Sequence, residues 1–219
     1  LAALKAGVPH TVKDLNAYLK ANLGAETFAA ARGGRASFLV AVGEGREALA
    51  RALALGWTLG AKNVAFIGSA GSLESTARMG EVVVPAIYQR ADGSSERLDR
   101  LPDIPGVPRR GVYARVATPN LGTAAWTASA RAAGVDLIES ELGHILDELK
   151  DRPDVRLQAA LVIAEAVFGP DGRDMTEWGL ADLRALHPAL NRVLDAALGG
   201  APPRGARTAD YVVRSYRSV

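Results

Sequence analysis

Cysteine is absent from this 219-residue chain. That excludes a disulfide framework and any thiolate metal centre, and it fits a cytoplasmic protein. Aromatic residues make up only 5%, so there is no row of stacking side chains for nucleic-acid bases. Neither sign of charge dominates: 26 Lys and Arg against 24 Asp and Glu leave +2, with the arginines dispersed among acids. The sequence pI of about 9.0 is too mild to call for a polyanionic partner. No uninterrupted apolar run reaches the roughly 18–20 residues that span a bilayer, and no secretory signal is visible. Neither nucleic acid nor membrane is therefore an expected partner.

What remains is ordinary globular material. Apolar residues are 48% and charged residues 23%. The length suits one domain over residues 1–219, with no second-domain boundary and no internal repeat. The tail from 200 to 219 carries Pro202, Pro203 and four arginines and reads as surface.

Local patterns alternate between strand and helix. Thr11 opens a helix with Val12, Leu15, Tyr18 and Leu19 on one face and Gly24 as its stop. Residues 36–42 are a continuous apolar run, as in a strand buried on both faces. Gly43-Glu-Gly45 turns the chain into a helix whose face is Leu49, Ala52, Leu53, Gly56 and Trp57. Strands are expected at 63–67, 81–89, 111–118, 135–139 and 157–164. Helices are expected over 121–133, with Asn120 as cap, over 142–150, and over 176–198 with a break near Pro188. Residues 91–110, rich in Pro, Gly, Asp and Arg, read as a long loop of the kind that forms lids or interfaces or is simply mobile. The alternation predicts an α/β fold with a mostly parallel sheet.

The segment Asn63-Val-Ala-Phe-Ile-Gly-Ser-Ala-Gly-Ser-Leu73, followed by Met79-Gly-Glu-Val-Val-Val-Pro85, points to a site rather than to a fold alone. An apolar run enters Gly68-Ser69-Ala70-Gly71, read as a turn. Glycines there let backbone amides approach an oxygen anion or a hydroxyl. Farther on, Glu139-Ser140-Glu141 sets two carboxylates two residues apart. In an extended segment they share a face, and their repulsion raises at least one pKa. Glu165 follows the apolar run Leu161-Val-Ile-Ala164.

Taken in order, Gly68-Ser-Ala-Gly71, Gly80-Glu-Val-Val-Val-Pro85, Arg90-Ala-Asp-Gly-Ser-Ser95, Glu139-Ser-Glu141 and Val162-Ile-Ala-Glu165 resemble the motifs of the nucleoside phosphorylase and nucleosidase superfamily, over about residues 36–198. The resemblance implies a three-layer α/β/α sandwich around a mixed sheet. It implies cleavage of a nucleoside's N-glycosidic bond by phosphate or by water, without metal or organic cofactor, in a homo-oligomer. It casts Glu141 as acceptor for the ribose 2′ and 3′ hydroxyls, Glu139 as its helper, and Glu165 as a buried general acid serving the base. Ser69 with the amides of Gly68 to Gly71 would hold the nucleophile or a hydroxyl, and Gly43 with Arg46 a second anion-facing turn.

The departures are specific. Ser140 replaces the family's Met, Glu165 its Asp, and Ala164 its Ser. Phe66 stands where phosphorolytic members often carry Arg, whose planar fork suits phosphate. The family's opening strand and loop have no counterpart before Thr11, so residues 1–30 are divergent. Phe66 in place of Arg tilts the expectation slightly from phosphorolysis to hydrolysis, while the missing opening segment counts against both. The missing opening strand and the substituted Met, Ser and Arg positions support the alternative, a catalytically impaired nucleoside-binding or structural protein on the same fold.

The bland readings stand beside these. Glu139 and Glu141 also suit a solvated strand end and a helix first turn, where acids are favoured. Glu165 also suits a strand end facing solvent or an arginine, and Arg46 a pairing with Glu47 or water. Gly43-x-Gly45-x-x-Ala48 meets the loose dinucleotide pattern but lacks the acid about 20 residues on. Glu141-x-x-His144 has the spacing of a helical metal pair without partners. Trp57, Trp126 and Trp178 read as core or interface.

Overall fold

The computed structural model describes residues 27–32, 35–40, 46–58, 61–116, 124–166 and 168–170, with six positions between 181 and 193. The expected helix at Thr11, Gly43, Asn120 and the 200–219 tail lie outside these. The described elements fall into two compact units, one before Lys62 and one from Lys62 onward.

In the first unit, β1 (Thr27–Arg32) and β2 (Arg35–Val40) form an antiparallel pair from Thr27↔Val40 to Arg32↔Arg35. The strand expected at 36–42 is therefore half of a two-stranded sheet. Its partner was missed, although Gly33-Gly34 between two apolar runs is a strong hairpin signal. Helix α1 (Arg46–Thr58) follows. Leu49 and Gly56 on its apolar face are buried, while Arg46, Glu47, Ala50 and Arg51 are exposed.

The second unit is built on a seven-stranded sheet. Its strands are β3 (Asn63–Ser72), β4 (Val82–Val83), β5 (Ile87–Gln89), β6 (Ser95–Arg97), β7 (Val112–Arg115), β8 (Leu137–Glu139) and β9 (Arg156–Ala166). Their spatial order is β4-β9-β3-β8-β7-β5-β6. The pairs β3–β9, β7–β8 and β5–β7 are parallel; β4–β9, β3–β8 and β5–β6 are antiparallel. The sheet is thus evenly mixed by pairs rather than mostly parallel. One antiparallel pair, β5–β6, comes from a short hairpin, while β4–β9 and β3–β8 join strands distant in sequence.

Strand β9 is the spine. Ala159 to Ala164 are all buried, so both of its faces are covered, as its unbroken apolar run predicted. The helices of this unit are α2 (Ala124–Ala132) and α3 (Leu142–Glu148), the latter continued by a 3-10 turn at Leu149–Asp151. Helix α3 buries Leu142, Ile145 and Leu146, its i, i+3, i+4 stripe. Gly143 allows this approach: a Cβ there would stand 2.7 Å from the Tyr88 hydroxyl and 2.9 Å from Arg115 Cδ. Ala181, Ala185, Pro188, Ala189, Arg192 and Val193 are all helical, within the span expected of the last helix.

Two expectations need correction. The strand foreseen at 81–89 is two short strands, because the chain leaves β9 after Val83 and pairs with β7 from Ile87. The 91–110 loop is no loose lid. Arg90 and Glu96 pair across the β5–β6 hairpin. The amide of Gly93 donates to Arg90 O, and Gly93 adopts φ 83, which glycine accepts without strain. Beyond β6, Leu98, Leu101, Ile104 and Val107 recur every three residues and are all buried. The Arg109 guanidinium ties the segment down, donating to the carbonyls of Leu98 and Leu101 and to Asp103. Arg90-Ala-Asp-Gly-Ser-Ser95 is therefore first a hairpin turn, with Asp92 accepting from the amide of Ser94.

Candidate functional site

Three strands end close together. Strand β9 lies on one side of β3 and β8 on the other, with Gly71 opposite both Glu165 and Ile138. Strand β8 runs against β3 but is only three residues long, so its end at Glu139 still falls beside the last residues of β3. The candidate acids thus flank Ala70–Gly71, on strands roughly 10 Å apart across the sheet.

The Gly68–Gly71 segment is not a turn. It is the last part of β3, with Gly68, Ser69 and Ala70 paired to Leu161, Val162 and Ile163. Extended pairing continues because Ala160, Leu161, Val162 and Ile163 offer β3 an uninterrupted ladder. Ser69 is exposed and Ala70 buried. The ring of Phe66 covers Gly68, where a Cβ would meet Phe66 Cζ at 2.6 Å. An aromatic ring therefore fills the space beside this glycine.

A β-bulge redirects β9. The register shifts between Ala70 and Gly71, so that Ile163 faces Ala70, Glu165 faces Gly71, and Ala164 is the extra residue. Glu165 is thereby set on the same face as Gly71 and Ile138: a Cβ on Gly71 would lie 3.0 Å from Ile138 Cγ1 and 3.8 Å from Glu165 Oε2. Glu165 is exposed rather than buried, because it stands past the bulge near the strand's end. Exposure removes the burial on which its general-acid role was expected to rest.

Glu139 lies on the other face, since it alternates with Ile138 along β8. It is buried, with 4% of its surface accessible. Oε1 accepts from the amide of Glu141 at 2.6 Å; Oε2 accepts from the amide of Leu142 at 2.7 Å and from the Tyr113 hydroxyl at 3.1 Å. Tyr113 Oη in turn accepts from the amide of Gly143 at 2.9 Å. Two side chains thus satisfy the first three amides at the start of α3, groups that no helix can pair internally. Tyr113 is fully buried and stacks on Tyr88 with ring centroids 5.3 Å apart.

Glu141 is not extended. It is the N-cap of α3 with φ −102 and ψ −40, because the Glu139 carboxylate captures its amide and bends the chain. The two carboxyls nevertheless meet. The Glu139 carboxyl is raised to about 8, first by burial and then by the neighbouring Glu141 carboxyl, against the lowering effect of the amides of Leu142 and Glu141. Burial likewise raises the Tyr113 hydroxyl well above its usual range, with the Glu139 charge next. Ser140 is half-buried in the bend between them.

Arg46 begins α1 in the other unit and is exposed. His144 Nδ1 lies 3.0 Å from Arg115 Nη1, which also reaches Asp147. Among the described residues no group of three or more His, Cys, Asp or Glu could hold a metal ion. Tyr113 escaped the sequence reading. The signal was present: a lone tyrosine inside a buried strand requires a partner for its hydroxyl.

This architecture occurs in solved structures. A methylthioadenosine phosphorylase from an Antarctic soil metagenomic library superposes with a TM-score of 0.57 at 15% identity, over 80% of this chain and 74% of that one. Uridine phosphorylase from Vibrio fischeri ES114 superposes with 0.60 at 13% identity, over 80% of each. The fold is that of the nucleoside phosphorylases. No family model and no curated protein matches the sequence. Among the described residues no helix is long and apolar enough to cross a membrane.

Proposed function

We propose that the chain binds a nucleoside and cleaves its N-glycosidic bond, with water preferred to phosphate as acceptor. The observation that carries this reading is the fixed bend at Glu139-Ser140-Glu141, at the end of β8 where β3 and β9 also end in a phosphorylase-type fold, although the Glu139 side chain lies on the opposite face of the sheet from Glu165. Departure of a base from ribose builds positive charge on the sugar, and pre-placed carboxylate favours it. Glu141 is assigned to the sugar hydroxyls, Glu139 to holding Glu141, and Glu165 to the base. Ser69 and the end of β3, from Gly68 to Gly71, are assigned to the incoming water or a hydroxyl. The Phe66 ring over Gly68 supports water, since a guanidinium is the better match for phosphate. Assembly into a homo-oligomer and a role for Gly43 and Arg46 belong to the same reading.

The exposure of Glu165 favours a second reading, a nucleoside-binding protein without turnover. Incubation with purine and pyrimidine nucleosides, with and without phosphate, separates the two. Base released without phosphate supports hydrolysis; release only with phosphate overturns that preference. Binding without release supports the second reading. Glu141→Gln is expected to abolish turnover while leaving the circular dichroism spectrum unchanged, and intact turnover would refute the assignment.

A further inference from the structure

Helix α3 carries a histidine whose protonation state is dictated by its neighbour. His144 Nδ1 lies 3.0 Å from Arg115 Nη1. A guanidinium stays charged and offers only donors. Nδ1 must then be the acceptor, so the ring is neutral and its proton sits on Nε2. The same Nη1 reaches Asp147 Oδ2 at 3.4 Å. Asp147 stands three residues after His144, on the same side of the helix. A second partner for a protonated ring is thus already in place. We infer that His144 is a proton-operated latch on Arg115: neutral, it accepts from the guanidinium and pins it between β7 and α3; protonated, it turns to Asp147 and lets the guanidinium go.

Packing decides which way Arg115 can move. Its stem runs over Gly143, where a Cβ would lie 2.9 Å from Arg115 Cδ and 2.7 Å from the Tyr88 hydroxyl. The backbone of α3 and Tyr88 therefore close the inner side, and a released guanidinium swings outward. His144 and Asp147 are half-buried, and about a third of the Arg115 side chain is exposed, so water reaches the contact. The charged and titratable groups around it are Arg115 on β7, Glu139 opposite Arg115 on β8, Glu141 at the N-cap, Asp147 on α3, Lys150 in the turn that follows, Tyr88 on β5 and Arg90 just after it. Lys150 holds Asp147 Oδ1 at 3.0 Å, while Oδ2 faces Arg115. A proton on the ring sets two cations at hydrogen-bond distance, which is unfavourable, whereas the same proton gains Asp147 as acceptor. Protonation trades a strut between β7 and α3 for a pair within α3, and the start of the helix loses one tie to the sheet. The latch needs no substrate, so it stands or falls independently of the nucleoside reading.

Full-length protein with nitrogen-labelled histidine is followed by long-range proton–nitrogen NMR from pH 8.5 to 5, as wild type, Arg115→Met, Asp147→Asn and His144→Asn. The signals lost in His144→Asn identify that ring. In wild type at pH 8.5 they are expected to show Nδ1 bare and Nε2 protonated. The midpoint for uptake of the second proton is expected about one pH unit higher in Arg115→Met, where the neighbouring cation is gone, and lower in Asp147→Asn, where the waiting acceptor is gone. A proton on Nδ1 in wild type at pH 8.5, or equal midpoints in wild type and Arg115→Met, overturns the latch.

Double-mutant cycles in urea unfolding give the second readout, with Arg115→Met and His144→Ala made singly and together. Their coupling is expected to be about fivefold in the unfolding constant at pH 8.5, the size of one partly screened hydrogen bond to a charge, and to vanish or reverse at pH 5. Coupling between His144 and Asp147 is expected to grow by a similar factor over the same fall. His144→Asn sets an amide oxygen close to where Nδ1 stood and cannot take up a proton, so its coupling to Arg115 should persist at both pH values. An Arg115–His144 coupling unchanged from pH 8.5 to 5 makes the pair a plain structural contact and refutes the inference. No coupling at pH 8.5 refutes the contact and the latch together.

Discussion

Glu139 makes a quantitative claim about stability and pH. In the folded chain its carboxyl is raised from the ordinary 4.5 to about 8, while in the unfolded chain it returns to the ordinary value. Between those limits the folded state holds a proton that the unfolded state has released. Stability from this group is complete below about 4.5, declines as pH rises, and is gone above about 8. The slope is about 1.4 kcal/mol per pH unit, so roughly 3 kcal/mol is lost between pH 5 and 7.5. Glu139→Gln keeps the size and removes the titration. Urea unfolding followed by circular dichroism should therefore give a pH profile that falls for wild type and is flatter for the variant by about 1 kcal/mol per unit. The variant should also be weaker at pH 5, because its amide nitrogen opposes a backbone N–H that the carboxyl oxygen accepted. Parallel profiles would refute both the burial argument and the direction of the shift.

Three further outcomes follow from the packing. Gly71→Ala should cost about 1–3 kcal/mol in urea unfolding, because the new methyl meets the stiff Cγ1 of Ile138, and Ile138→Val in that background should recover part of it. Gly93→Ala meets no neighbour but keeps φ 83, so it should cost about 1 kcal/mol from backbone strain alone, with Gly93→Asn milder. Arg110 bridges Glu74 at 2.8 Å and Glu81 at 2.6 Å, each about one-third exposed or less. Arg110→Met should cost only about 1 kcal/mol after solvent screening, less at high salt, and adding Glu74→Gln should reduce the loss.

Much of the fold was legible because it depended on one-dimensional pattern. The apolar run of β9, the stripe of α1 and the short strand ending at Glu139 all follow from spacing alone. The mixed pairing was not, since parallel and antiparallel neighbours leave the same alternation in a strand. The Gly68–Gly71 segment was misread because glycine marks a turn and a close approach equally well, and here Phe66 and Ile138 make the approach. The two acids of Glu139-Ser-Glu141 were visible, but not their different surroundings. One is enclosed and bonded to amides and a tyrosine; the other caps a helix. That difference arises from Tyr113, 26 residues away in sequence, whose hydroxyl meets Glu139 only after β7 and β8 pair. Glu165 was visible too, but the extra residue Ala164 that aims it exists only as a mismatch between two strands.

The opening amides of α3 also bear on what this molecule can capture. A helix start ordinarily attracts oxyanions through its unpaired N–H groups. Here those donors at Glu141, Leu142 and Gly143 are saturated internally by a carboxyl and a phenol. A free phosphate arriving at this corner meets no vacant donor among those three amides, and an acid in the way.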